Sequence, residues 1–298
     1  MGWSLQKGGL LASLFDMSIS LQTILSLLLL ISTPCFLQAE HEGKVQILLL
    51  GDSTTEGSIP RLLKPEGPHL EQVMEHLLAA DKSLPACQVI NSSQSGETIR
   101  RLFSSGRYDK KGADLPGIDY IFIRYGINDR AKLDNFPVTF VKDFHEMIAR
   151  LRKDHPTARI IPMTVIPFSN EEASKEINDL ILQVARDEKL EVFDIYPRYA
   201  AELKKGHNHL NYRRFSLESV PEEHHEWLKP YIISDKVVVM GNELDGIFGH
   251  LPGWASDRHP NLAGYNVIAD ETVNYLAPIL RKRSPVKPAV AAPVPVTQ

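Results

Sequence analysis

Ser53 stands at the end of an apolar run, in LLLGDSTTEG (residues 48–57), where a buried strand would deliver a hydroxyl to the rim of a sheet. A serine hydroxyl is a weak nucleophile until a base takes its proton. The base works best when an acid fixes its tautomer, and the oxyanion that forms needs donors aimed at it. A base, an acid and donors must therefore sit at neighbouring element ends. His259, in ASDRHPNLAGY, lies immediately before a helical pattern, and Asn128, in YGINDR, closes a strand pattern. Gly96, in SQSGET, follows another strand, and its backbone N–H can approach a ligand with no side chain in the way. Asp52 reads as a structural partner of its own turn.

The elements that must position these residues alternate along the chain. VQILLL (45–50), CQVIN (87–91), IDYIFIRYG (118–126), ARIIPMTVI (158–166) and LEVFDIY (190–196) have strand length and composition. Between them lie helical patterns over 69–80, 97–105, 136–154 and 172–188, and a last one over 261–283, started by Asn261 and ended near basic residues. Strand and helix alternating five times predict an α/β fold, a parallel sheet covered by helices on both faces. Its ligand crevice lies at the C-terminal strand ends, where Ser53, Gly96 and Asn128 converge. Residues 197–256 break the alternation and are too many for a plain connection, so they read as an insertion over that rim, a lid or substrate-binding flap.

ILLLGDSTTEG, Gly96, YGIND and DRHPNLAGY together resemble the four blocks of the SGNH (GDSL-like) hydrolase superfamily, in block order from about residue 45 to 282. The GDST form further resembles its carbohydrate acetylesterase branch, such as rhamnogalacturonan acetylesterases. The resemblance implies a three-layer α/β/α sandwich with a five-stranded parallel sheet, of flavodoxin-like type. It implies Ser53 as nucleophile, His259 as general base, and an oxyanion hole made of the Ser53 and Gly96 N–H groups with the Asn128 amide. It implies no metal or organic cofactor. The chain departs from the family at one point: the acid is expected three residues before the histidine, where Ser256 stands, and Asp257 is only two before it. Asp257 reaches the ring if the loop is one residue tighter. Asp245, in NELDG, and an acid-free Ser–His dyad are the alternatives. The function implied is an exported serine esterase that removes acyl groups, chiefly acetyl, from a carbohydrate-type substrate. A lysophospholipase- or thioesterase-type lipid esterase and a non-catalytic binding protein on the same fold are the rivals.

Composition narrows the field further. The 298-residue chain carries a net charge of −4 and no concentrated Lys/Arg stripe, which argues against nucleic acid as a partner. Neither a G-x-G-x-x-G nor a Walker loop follows the first strand. Met17–Ala39 holds no charged side chain, so residues 1–39 read as a secretory signal peptide, with a membrane anchor as the alternative; either places the folded part outside the cytoplasm. The hydrolase domain is expected over 40–282 and a disordered Pro/Ala/Val-rich tail over 283–298. Cys87 reads as a small buried residue, since its one companion, Cys35, belongs to the leader. His207, His209, His224 and His225 invite a metal reading, but no third ligand stands at a convincing spacing. The basic, aromatic LKKGHNHLNYRRF reads as surface, and Trp227 and Trp254 as core or lid packing.

Overall fold

The computed structural model describes residues 43–168, 170–206 and 209–283. The expected leader over 1–39 and all but the first residue of the expected tail lie outside them, as does His207. Strand β1 (Val45–Gly51) is buried at every position. It pairs in parallel with β2 (Cys87–Asn91) on one side and β3 (Ile118–Arg124) on the other, and β4 (Arg159–Pro162) lies beyond β3. Alternate side chains of β1 enter two separate cores, as the two-residue period of a strand requires. Val45, Ile47 and Leu49 join one apolar cluster; Leu48 and Leu50 join the other.

Two short helices follow β1 directly, α1 (Ser53–Glu56) and α2 (Ser58–Leu63), and then comes α3 (Leu70–Ala80). Helices α4 (Ile99–Ser104), α5 (Ile127–Lys132), α6 (Phe136–Asp154), α7 (Glu171–Asp187), α8 (Tyr196–Leu203) and α9 (Leu262–Arg281) complete the layers. The first core holds Leu70, Met74 and Leu78 of α3 with Tyr199 of α8 and Ile268 and Leu276 of α9. The second holds Leu102 of α4, Phe140, Phe144 and Met147 of α6, and Ile177 and Ile181 of α7. This is the three-layer sandwich that the alternation predicts.

The expected fifth strand over 190–196 is the main correction to the sheet. It is reduced to a single parallel bridge between Met163 and Phe193. Phe193 donates to the Pro162 carbonyl at 2.9 Å and its own carbonyl accepts from Thr164, but there the ladder stops. The Thr164 hydroxyl donates to Asp194 and accepts from the Ile195 N–H at 3.0 Å, so side chains replace the next backbone rungs. The strands expected over 118–126 and 158–166 end early, at Arg124 and Pro162. Cys87 is half-buried rather than buried, and burial pushes its thiol up to about 11.

Between α8 and α9 the chain forms a second, antiparallel sheet of β5 (Arg213–Ser216), β6 (Ile232–Ile233) and β7 (Lys236–Val239), in the order β5-β7-β6. Phe215, Leu228, Val237, Val239, Phe248 and Trp254 give it an apolar core of its own.

Candidate active site

The sheet order β2-β1-β3-β4 reverses direction at β1, and such a switch leaves a crevice beyond the carboxyl ends of the strands on either side of it. Ser53 follows β1 at once, as the first residue of α1. Its turn is locally determined. Asp52 caps the helix, accepting from the Thr54 N–H at 2.9 Å and the Thr54 hydroxyl at 2.8 Å. Gly51 has no room for a side chain, because a Cβ there would lie 2.4 Å from Thr55 Oγ1. Tyr265 of α9 donates its hydroxyl to the Ser53 carbonyl at 2.7 Å, tying the last helix to this turn.

His259 sits just before α9, whose first turn Asn261 caps through the Gly264 N–H. Its Nε2 lies 3.0 Å from Ser53 Oγ and its Nδ1 2.7 Å from Asp257 Oδ1. The same Asp257 oxygen accepts the His259 backbone N–H at 2.9 Å, which folds the loop one residue tighter than the family spacing. Asp257 is the carboxylate on the imidazole. Asp245, the alternative acid, instead accepts from Arg213 at 2.9 and 2.6 Å and from the Trp254 indole at 2.8 Å. Burial pushes the Asp257 carboxyl up, but its bonds to His259 and the charge of Arg214 outweigh that, and it titrates below its usual value. An ionised carboxylate only accepts, so Nδ1 carries the proton and Nε2 is left to accept from Ser53. Tyr212 stacks on the imidazole at 5.6 Å, and Phe168 meets it edge-on at 4.8 Å.

Gly96 and Asn128 come to the same cleft, a depression of about 230 Å³ that also exposes Ser53, His259, Tyr212 and Arg214. Gly96 has φ +72°, a conformation that favours glycine. Asn128 donates one amide hydrogen to Asp52 Oδ2 at 3.3 Å, which leaves a second for a ligand. Ser53, Gly96, Asn128, His259 and Asp257 are thus all brought together. This constellation can attack a carbonyl, move a proton and hold an oxyanion.

The model of the GDSL-like lipase/acylhydrolase family matches residues 49–267, which contain all five. The chain belongs to that family. It is accordingly an ester-hydrolysing enzyme of the SGNH superfamily that its motifs resemble. No curated protein sequence matches it significantly. Its fold is shared with an acetyl-xylooligosaccharide esterase variant from Geobacillus stearothermophilus, 18% identical with a TM-score of 0.51 over 82% of this chain and 98% of that one. It is shared too with a GDSL-like lipase assignment from Parabacteroides merdae (13%, TM-score 0.51, 79% and 97% covered) and a possible lipase from Chitinophaga pinensis (16%, 0.51, 79% and 99%).

Around the residues expected in this GDSL-like enzyme lies a layer that sequence reasoning missed. Asp129, fully buried, accepts the Ile99 N–H at 3.0 Å and the Gly126 N–H at 3.1 Å, bridging the loops after β2 and β3. Burial pushes its carboxyl up to about 7 even though these N–H bonds lower it. Glu97 accepts from Arg107 at 2.6 Å and from the Tyr125 hydroxyl at 2.8 Å, joining the same two loops. Arg124 is buried beneath Ser53's helix, its Nε donating to Thr55 Oγ1 at 3.2 Å and its Nη2 to the Thr54 carbonyl. Asp129 was within reach of the sequence, since it follows Asn128 directly. Glu97 and Arg124 gave no signal without the fold. The histidines considered for a metal have other contacts: His209 with the Gly206 carbonyl, His225 with the Val220 carbonyl, and His224 with the Trp227 indole. Among the described residues no group of three His, Cys, Asp or Glu side chains is placed to hold a metal.

Proposed function

We propose that the enzyme is a serine esterase that removes short acyl groups, chiefly acetyl, from a hydroxyl-rich, carbohydrate-type substrate. The observation that carries this reading is the unbroken relay Ser53–His259–Asp257, with contacts of 3.0 and 2.7 Å. Ser53 Oγ attacks the ester carbonyl as Nε2 of His259 takes its proton. Asp257 stabilises the imidazolium, and the Ser53 and Gly96 N–H groups with the Asn128 amide hold the oxyanion. The imidazolium returns the proton to the leaving alcohol. A water, deprotonated by the same Nε2, then releases the acyl group and restores Ser53.

The polarity of the cleft supports a short acyl group on a polar alcohol. Ser58, Ser95 and Arg214 line it beside the site residues, while its aliphatic lining is Ile59 and Pro60. A long acyl chain calls for an extended apolar groove. Hydrolysis of p-nitrophenyl acetate tests the reading: Ser53→Ala should lower kcat/KM by about 10⁵-fold or more with an unchanged melting temperature. Retained turnover would remove Ser53 from the mechanism, and faster hydrolysis of decanoyl than of acetyl esters would favour the lipid-esterase reading.

We propose also that the chain is exported, on the strength of the uncharged apolar run over 17–39. Among the described residues no helix is long and apolar enough to cross a membrane. A mature chain beginning near Glu40 and recovered outside the cytoplasm supports export; a full-length cytoplasmic chain contradicts it.

A further inference from the structure

The basic stretch NYRRF (211–215) divides at β5, because neighbouring strand residues face opposite ways. Arg213 is 1% exposed and committed to Asp245, whereas Arg214 lines the cleft beside Ser53 and His259. Arg214 Nε holds Asp257 Oδ2 at 2.8 Å, and the guanidinium packs 5.9 Å from the centre of the Tyr212 ring, which itself stacks on His259. The side chain is 41% exposed and lines the cleft with Ser53 and His259, so the guanidinium nitrogens not turned to Asp257 are open to a ligand bound there.

The surrounding charges point the same way. No Asp or Glu side chain is among the described residues lining the cleft. The nearest carboxylates are turned inward onto donors of the protein: Asp257 onto His259 and Arg214, Asp52 onto Thr54 and Asn128, and Glu56 onto the Ser95 N–H at 2.5 Å. Beside the cleft, Lys132 donates its ammonium to the carbonyl of Gly96, one of its lining residues. Arg214 is therefore the one formally charged side chain, His259 aside, among the described residues that line the cleft, and a second cation, Lys132, stands beside its Gly96. A neutral alcohol gains little from that arrangement, while a carboxylate beside the acylated hydroxyl gains a charge-assisted hydrogen bond.

We propose that Arg214 is the specificity determinant of this esterase and selects substrates whose alcohol carries a carboxylate, such as O-acetylated uronosides. The inference rests on the esterase reading above. Arg214 has a second effect, the positioning of Asp257, which acts equally on every substrate and so cancels in a ratio.

The test compares an O-acetyl methyl glucuronoside with the methyl glucoside acetylated at the same position, a pair differing only in carboxylate against hydroxymethyl. At low ionic strength the wild-type enzyme should favour the glucuronoside by about tenfold in kcat/KM. Salt near 1 M should shrink that preference, since screening then acts within about 3 Å. Arg214→Gln should slow both substrates and bring their ratio near one, and Arg214→Lys, which keeps the charge without the planar fork, should fall between. A ratio of one in the wild-type enzyme, or a ratio that survives Arg214→Gln, overturns the inference, as does failure to hydrolyse either sugar by an enzyme that cleaves p-nitrophenyl acetate. Loss of p-nitrophenyl acetate turnover in the wild-type enzyme would instead bring down the esterase reading itself.

Discussion

Asp257 accepts two hydrogen bonds, from the His259 ring and the His259 backbone N–H, and forms an ion pair with the Arg214 guanidinium. The two-residue spacing is what allows one oxygen to accept both the ring and the backbone, so the loop and the imidazole are oriented by the same group. Asp257→Asn would place an amide where Nδ1–H needs an acceptor, and kcat should fall by about 10³-fold or more with KM little changed. Stability carries its own signature. The folded carboxyl titrates below its usual value of 3.8, so its contribution is complete above that pH and is lost as pH falls through the folded value. The gap between thermal melts of the wild-type and Asp257→Asn proteins should therefore be present at pH 5 and begin to shrink as pH falls below about 3.8. A gap that widens below about pH 4 would contradict the assignment. Ser53 and His259 were legible because each sits inside a motif with an element boundary beside it. The role of Arg214 was not, because adjacent arginines on a strand must face opposite ways and the sequence does not say which faces the cleft.

The loop after β2 presents Gly96 and the first turn of α5 presents Asn128, and the two segments are held together by buried carboxylates rather than by sheet pairing. Asp129 joins Ile99, the first residue of α4, to Gly126, which precedes α5. Gly126 itself leaves no room for a side chain, since a Cβ would lie 2.3 Å from Ile177 Cγ2. Asp129→Ala strands two N–H groups, each costing about 1–3 kcal/mol when buried without a partner. Because those groups set the distance between the two oxyanion donors, kcat should fall by about 10- to 100-fold while KM changes less. Equal losses in both parameters for a folded variant would mean that Asp129 does not position the donors. Element prediction succeeded where burial is periodic: the helix over 136–154 has the bounds its Phe140, Phe144, Met147, Ile148 and Leu151 imply. It failed over 190–196, whose apolar alternation is strand-like, because Thr164 and Asp194 side chains take the bonds a fifth strand would have made.

An ion pair with one buried partner ties β5 of the second sheet to the segment that follows β7. Arg213, 1% exposed, is neutralised by Asp245, which also accepts the Trp254 indole. Asp245→Ala leaves that guanidinium inside without its counter-charge, a loss of about 3 kcal/mol. In a domain of this size that lowers the melting temperature by roughly 10 °C. An unchanged melting temperature would show that the pair is dispensable. Nothing in the NELDG segment announced this structural duty, since a lone aspartate in a turn reads the same whether it caps, pairs or catalyses. The whole molecule also fixes when hydrolysis can begin. Ser53 and His259 are 206 positions apart, at opposite ends of the matched region. At about 5–20 residues per second the serine is added to the chain roughly 10–40 s before the histidine. On the proposed mechanism a nascent chain that still lacks His259 is consequently inert, and the serine gains its base only once the segment leading into α9 has folded back to β1.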